Sequence, residues 1–301
     1  MLLGADGLIA PLKFWKVQSI GNHFPLIQTV DCPDVNLSEL AIKMCKHHFG
    51  VGGDGLLTME RNSDGVVLRM FNPDGTEDFC GNGIRCAAEW AIQQGWVSGE
   101  FTLIHGGKEI ACKEVDGDLS TVLGTASYDS KDVPTNIQGE IFDETVFAGR
   151  IDDVSVVLNG SALSTGSTHL ILPTGSLPDD AGFRKISEQL ELDSRFPERT
   201  SVIWSVREDV ALRIRIWERG VGETLGCGTG SSAAAVDWMR RRGFGGNIEV
   251  KNPGGSVWVH AEAWNREITL SGKATVIFQG EWMDKSELEL TSIESKLGER
   301  V

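Results

Sequence analysis

The sequence predicts a mixed α/β (α+β type) fold made of two related halves. Three observations carry that expectation: many short alternating apolar runs, fewer helical patterns, and one strand–turn–cysteine–helix block that occurs twice. The 301 residues suffice for two modest domains. A 41% hydrophobic, 24% charged composition is that of a globular chain, which argues against intrinsic disorder.

In chain order, residues 37–47 repeat apolar side chains at helical spacing, with Asn36 or Ser38 available as a cap. Residues 66–71 alternate and read as a strand, and residues 84–93 return to helical spacing. Residues 183–190 read as a helix, 211–217 as a strand and 232–241 as a helix. Further strands fall at 256–260, 267–270 and 275–278, and the 36 glycines supply tight turns. Arg240-Arg241-Arg242-Gly243 fits a helix end, where cations meet the negative dipole pole and glycine takes the cap. Gly50-Val51-Gly52-Gly53-Asp54-Gly55 has the glycines of a dinucleotide loop, but it follows a helical pattern instead of opening one and reads as a turn.

The repeat organises the chain. Cys80-Gly81-Asn82-Gly83 matches Cys227-Gly228-Thr229-Gly230, with alanines following in both copies. Leu68-Arg69-Met70-Phe71 matches Ile214-Arg215-Ile216-Trp217, and Ser19-Ile20-Gly21-Asn22 matches Ser164-Thr165-Gly166-Ser167. Three landmarks in one order imply a duplicated half, not a short solenoid repeat, with the boundary near residues 127–134.

Charge and cysteine usage exclude several classes. A formal net charge of −15 disfavours nucleic acid and anionic membrane surfaces as partners. No apolar run reaches membrane-spanning length, and residues 1–11 do not read as a secretory signal. Six cysteines are too few for a disulfide scaffold, and no C-x-x-C pair occurs, so reduced thiols and a cytoplasmic location are expected. His47-His48 and the dispersed cysteines lack metal-ligand spacing, so no metal is expected.

Each repeated block places a cysteine at the start of a helix. Such a start offers unpaired N–H groups and a positive dipole end, which suit a carboxylate and favour a thiolate. Two such starts facing each other would hold a carboxylate between them, with one sulfur on each side of the neighbouring Cα. One thiolate would remove the α-proton and the opposite thiol would deliver another, inverting the centre without a covalent intermediate. The bland reading of a lone cysteine is a small buried hydrophobe, and that reading is taken for Cys32, Cys45, Cys86 and Cys112. For Cys80 and Cys227 the matched context favours chemistry.

At these blocks the sequence resembles the diaminopimelate epimerase family. The resemblance rests on residues 72–83 (NPDGTEDFCGNG) and 218–230 (ERGVGETLGCGTG), with Gly21-Asn22, Phe49-Gly50-Val51-Gly52, residues 195–199 (RFPER) and Pro253-Gly254-Gly255 in support. It spans residues 14–282 and implies two pseudo-symmetric domains, each a central helix wrapped by a mostly antiparallel sheet. One domain would be residues 12–130 plus 275–290, carrying Cys80; the other would be 131–274, carrying Cys227. The implied activity is cofactor-independent conversion of L,L- to meso-diaminopimelate, a step toward lysine and peptidoglycan precursors. The implied partner is a small amino-acid substrate, and the family leaves room for a homodimer.

The resemblance makes Cys80 and Cys227 the acid/base pair. His169 and Glu218 would tune the thiols. Asn22, Asn72, Gly81, Asn82, Glu218, Arg219, Gly228 and Thr229 would bind substrate, the glycine pairs and their neighbours through backbone N–H groups. Turn formation is the bland reading of Asn72, and a structural role that of His169. Three positions depart from the pattern: Gly55 stands where the family has Gln, and Ser167 and Ser201 where it has Asn. The first cysteine block is also one residue shorter. The missing amides would engage the distal polar end of diaminopimelate, so these are altered pocket positions. The alternative is a related racemase for a less polar or aromatic amino acid, which the serines and Trp204 would suit. A phenazine-biosynthesis-type isomerase is a more distant alternative that needs no cysteine pair.

Overall fold

Short apolar runs bounded by glycine turns fold into strands, and the two alanine-rich segments after the cysteines fold into helices that those strands surround. The computed structural model describes residues 11–63, 65–151 and 154–283. Residues 1–10 and 284–290, which enter the signal and domain expectations, lie outside the described residues.

The first half runs β1 (Leu12–Ser19), β2 (Asn22–Gln28), a 3-10 turn (Thr29–Asp31), α1 (Leu37–Met44), β3 (Leu56–Asn62), β4 (Gly65–Phe71), β5 (Glu77–Asp78), α2 (Gly81–Gln93), β6 (Glu100–His105), β7 (Lys108–Val115) and β8 (Asp118–Thr125). The second runs β9 (Glu144–Ile151), β10 (Val154–Ser164), β11 (Thr168–Pro173), α3 (Asp180–Glu191), β12 (Ser201–Glu208), β13 (Ala211–Glu218), β14 (Gly222–Thr224), α4 (Gly228–Arg242), β15 (Gly246–Asn252), β16 (Gly255–Ala261), β17 (Glu267–Gly272) and β18 (Thr275–Trp282). Every strand and helix expected from the sequence is present within a few residues. Asn36, not Ser38, caps α1 through its side chain, and Gly243 closes α4 in the left-handed conformation at φ 74°.

The duplication is visible in the pairing. β2–β3 and β4–β6 are parallel in the first half, as are β11–β12 and β13–β15 in the second; the other pairs are antiparallel. Two pairings cross the sequence. β17 lies antiparallel to β8, Glu267 opposite Thr125, and β18 runs antiparallel along β1, Leu12 opposite Trp282. The last described strand therefore completes the sheet of the first half.

Each cysteine-headed helix is enclosed. α2 packs against β1, β2, β3, β4, β6, β8 and β18, and α4 against β10, β11, β12, β13, β15, β16 and β17. A helix contacted on all sides buries apolar side chains on more than one face. Ile84, Ala87, Ala88 and Trp90 on α2, and Ala233, Ala235, Val236 and Met239 on α4, have no exposed surface. The alanines let the strands approach closely, and Trp90 fills the space this leaves around α2, edge-on to Trp15 and Trp96. The shorter helices lie on the outer faces, α1 through Leu40, Ala41 and Met44, and α3 through Phe183, Ile186 and Leu190. Cys32, Cys45, Cys86 and Cys112 are buried and unpaired, as expected of small apolar side chains.

Candidate active site

Cys80 is the N-cap of α2 and Cys227 the N-cap of α4, with φ, ψ of −135°, 110° and −133°, 114°. Each sulfur stands where a Ser or Asp oxygen usually caps a helix. Gly83 N–H donates to Cys80 Sγ and Gly230 N–H to Cys227 Sγ, both at 3.3 Å. A side chain at Gly230 would lie 3.3 Å from Cys227 Sγ and 2.9 Å from Ile203, so glycine there keeps the sulfur's seat open. The N–H groups at Gly81 and Asn82, and at Gly228 and Thr229, open the two helices and have no intrahelical acceptor.

The cysteines' own amides are held from outside the helices. Cys80 N–H donates to His105 Nε2 at 3.1 Å, and His105 Nδ1 donates to Leu68 O at 3.0 Å, which fixes the tautomer. Cys227 N–H donates to Asn252 Oδ1 at 3.4 Å, which also accepts from Ser231 Oγ at 3.0 Å. His105 and Asn252 end the equivalent strands β6 and β15. Sequence reasoning missed both; only aligning those strands through the repeat could have found them.

The two helix starts abut. Asn82 Nδ2 donates across to Gly226 O at 3.1 Å, and to Asn22 Oδ1 at 3.4 Å. A methyl on Gly228 would lie 2.9 Å from Leu270 and 3.3 Å from Asn82 Oδ1, so only glycine allows this approach. Beneath them sits Arg85, with no exposed surface, donating to Asn82 Oδ1 and, at 3.1 Å, to Ser19 Oγ. Its Nη1 lacks a hydrogen-bond partner. Its cation lies within electrostatic reach of Cys80 and Cys227. Nothing in the sequence singles out Arg85, because a buried cation has no periodic signature.

Burial pushes the Cys80 thiol up to about 11, against the Gly83 N–H, and Glu218 pushes the same way. Burial, then Glu218, raises Cys227 further, against Thr229 and the Gly230 N–H. Burial also raises Glu218, while hydrogen bonds from Thr224 and Cys227 hold it down. Burial, and then the nearby Arg219 cation, lowers His169 to about 3, so its imidazole is neutral at ordinary pH. Its Nε2 meets Ser167 Oγ at 3.1 Å, Ser167 Oγ meets Thr229 Oγ1 at 3.3 Å, and Thr229 Oγ1 meets Cys227 Sγ at 3.4 Å.

The structure thus brings Cys80, Cys227, Asn22, Asn82, Gly228, Thr229, Glu218, Ser167 and His169 together. Asn22 is held by Asp54, its Nδ2 donating to Oδ2 at 2.7 Å. Asn72 donates to Thr76 Oγ1 at 3.1 Å, within its own turn. Ser201 Oγ accepts Arg219 N–H at 3.1 Å, and Arg219 Nη1 donates to Glu198 O at 3.1 Å. Gly55 has no room for a side chain: a Cβ would lie 2.6 Å from Met70 and 2.8 Å from Phe71 O. Trp204 is buried against α3 and donates to Ser187 Oγ at 2.9 Å, so it packs in the core instead of offering a ring to an aromatic ligand.

Comparison with known proteins gives the class first: this is an isomerase of the amino-acid racemase and epimerase class. The chain belongs to the diaminopimelate epimerase family, whose model matches residues 14–128 and 161–277. A diaminopimelate epimerase from Xanthomonas euvesicatoria pv. vesicatoria is 32% identical over 93% of this chain and 99% of its own length. One from Caldanaerobacter subterraneus subsp. tengcongensis is 33% identical over 90% and 99%. Among solved structures, a phenazine biosynthesis protein of the PhzF family from Bacillus anthracis shares the fold at TM-score 0.64 and 16% identity, covering 91% of this chain and 100% of that one. A hydroxyproline epimerase from Agrobacterium vitis does so at TM-score 0.62 and 11% identity, covering 91% of each chain. Among the described residues, no helix is long and apolar enough to cross a membrane.

Proposed function

We propose that the chain inverts the α-carbon of an amino acid by a two-base thiol mechanism without a cofactor, converting L,L- to meso-diaminopimelate. The observation that carries this reading is the pair of cysteine caps with matching backbone angles and matching 3.3 Å N–H contacts. The α-carboxylate docks between the N–H groups opening α2 and α4, where both dipole ends and the Arg85 cation stabilise charge that develops as the α-proton leaves. Glu218 receives the α-ammonium group. Docking that cation removes part of Glu218's opposition to a thiolate, so substrate binding itself primes the sulfurs. The sulfur facing the α-hydrogen then acts as base and the opposite thiol as acid; in the reverse direction they exchange roles. The site lies where an N-terminal half, residues 12–130 completed by β18, meets a C-terminal half of residues 131–274.

A second reading is favoured by the altered positions: a racemase for an amino acid with a less polar side chain. Gly55 has no room for an amide, and the Ser167 and Ser201 hydroxyls are engaged by His169, Thr229 and Arg219. Polar grip on a distal group is thereby reduced.

Incubation with L,L-diaminopimelate and a panel of L-amino acids in deuterated buffer, with chiral analysis, separates the readings. Inversion with deuterium at Cα is expected, and Cys80→Ala or Cys227→Ala should each lower its rate about 10³-fold or more. Substantial inversion by either variant would sink the two-base assignment.

A further inference from the structure

The two sulfurs occupy matched caps but have neighbours of different chemistry. In the first half, Asn22 and Asn82 flank Cys80; at the equivalent places in the second, Ser167 and Thr229 flank Cys227. Asn22 has a fixed polarity. Its Nδ2 donates to Asp54 Oδ2 at 2.7 Å, which turns Oδ1 toward Asn82 Nδ2 at 3.4 Å and Cys80 Sγ at 4.0 Å. A carbonyl oxygen can only accept, so this contact serves a protonated sulfur.

The second half has hydroxyls, which both donate and accept. The polarity of their chain follows from its far end. His169 is 1% exposed, and its Nδ1 has no hydrogen-bond partner. A buried N–H without an acceptor costs more than a bare lone pair, so the proton sits on Nε2. Nε2–H then donates to Ser167 Oγ, Ser167 O–H to Thr229 Oγ1, and Thr229 O–H to Cys227 Sγ. Three donors in series point at one sulfur. Phe24 stands where His169 stands in the repeat, so the first half has no such source.

We propose that Ser167 is a positioning residue for Cys227: its hydroxyl relays the donor polarity of the His169 imidazole through Thr229 to the sulfur and so brings the Cys227 thiolate within reach. The proposal rests on the two-sulfur reading above and deepens it. Glu218, on β13, and the Cys80 sulfur oppose a thiolate at Cys227, while Arg85, on α2, favours it. Burial, and then the Arg219 cation, keeps His169 neutral, so the chain's polarity persists across the working pH range. The relay supplies the short-range counterweight to Glu218 that Cys80, further from its own neighbour's oxygen, does without. Asparagine at position 167 would break the two-hydroxyl link, which makes the serine here a gain of wiring, whatever it removes from the pocket.

The test is alkylation of the ligand-free protein by iodoacetamide from pH 7 to pH 10, with each cysteine read separately by peptide mass spectrometry. It needs no turnover, so it stands even if no amino acid in the panel is inverted. Ser167→Ala should displace the Cys227 pH–rate curve about one pH unit upward, a tenfold loss of rate at fixed pH, and leave the Cys80 curve in place. Ser167→Thr should restore it. His169→Phe, the residue type of the first half, should move Cys227 in the same direction. An unmoved Cys227 curve in Ser167→Ala, an equal displacement of Cys80, or failure of the threonine variant to rescue would overturn the proposal. Should Ser167→Ala not fold, the threonine and His169→Phe curves decide it in the same way.

Discussion

Arg85 concentrates the electrostatics of the site in one side chain. A fully buried guanidinium whose Nη1 is unpartnered is costly unless its charge is used, and the groups around it are the Asn82 amide, the Ser19 hydroxyl and three sulfurs. Replacing it by a hydrophobe strands the buried Asn82 carbonyl and removes a cation that acts on both cap sulfurs. Arg85→Met is expected to cost about 3 kcal/mol of stability by urea unfolding and about 10²-fold in kcat/KM, with Arg85→Lys recovering part of the rate. A variant that loses stability but turns over normally would reduce Arg85 to a structural group. The cysteines were legible in the sequence because a repeat puts the same letters in the same context. Arg85, His105, Asn252 and Asp54 were not, because each acts through hydrogen bonds to residues distant in sequence, and nothing local marks such a partner.

At the scale of elements, the helix ends were the most legible features. Asn36 and the two cysteines cap through their side chains where the sequence offered them, Asp179 caps α3 without having been singled out, and Gly243 takes the left-handed position that lets its N–H reach Met239 O at 2.9 Å. Gly243→Ala is therefore expected to destabilise the protein by about 1–2 kcal/mol, read as a lower urea midpoint, with alkylation at Cys227 unchanged because α4's other end is untouched. An unchanged midpoint would mean that packing, not the cap, sets that end. Periodicity found the surrounded helices α2 and α4 from their cysteine starts, but it could not say that strands would enclose them. That enclosure depends on pairings such as β8 with β17, whose partners lie more than a hundred residues apart in sequence, beyond what any local pattern encodes. The same limit hid Trp204, whose ring belongs to the α3 core by virtue of the β11–β12 pairing.

For the whole molecule, buried titratable groups bound the pH range of stability on both sides. His169, lowered to about 3 by burial, and His105, also lowered, fold in the neutral form; the unfolded chain takes up protons near the ordinary 6.5. Stability from these groups is present above that value and lost as pH falls from 6.5 toward 3. The cysteines act at the other end. Cys80, raised to about 11, and Cys45 and Cys112, each raised to about 12, stay protonated when folded, whereas in the unfolded chain they ionise near 9. The urea midpoint is expected to form a plateau between about pH 6.5 and 9 and to decline on either side; a midpoint still rising above pH 9 would contradict this. The pairing of β1 with β18 bears on a different process, the order in which the chain can acquire structure during synthesis. Residues 12–19 leave the ribosome long before their sheet partner, residues 275–282. Until then β1 presents an open edge beside β2, and α2 lacks one of the strands that enclose it. The half made first is thus closed last, and for most of translation it is exposed to pairing with the wrong strand, including the same edge of a neighbouring nascent chain.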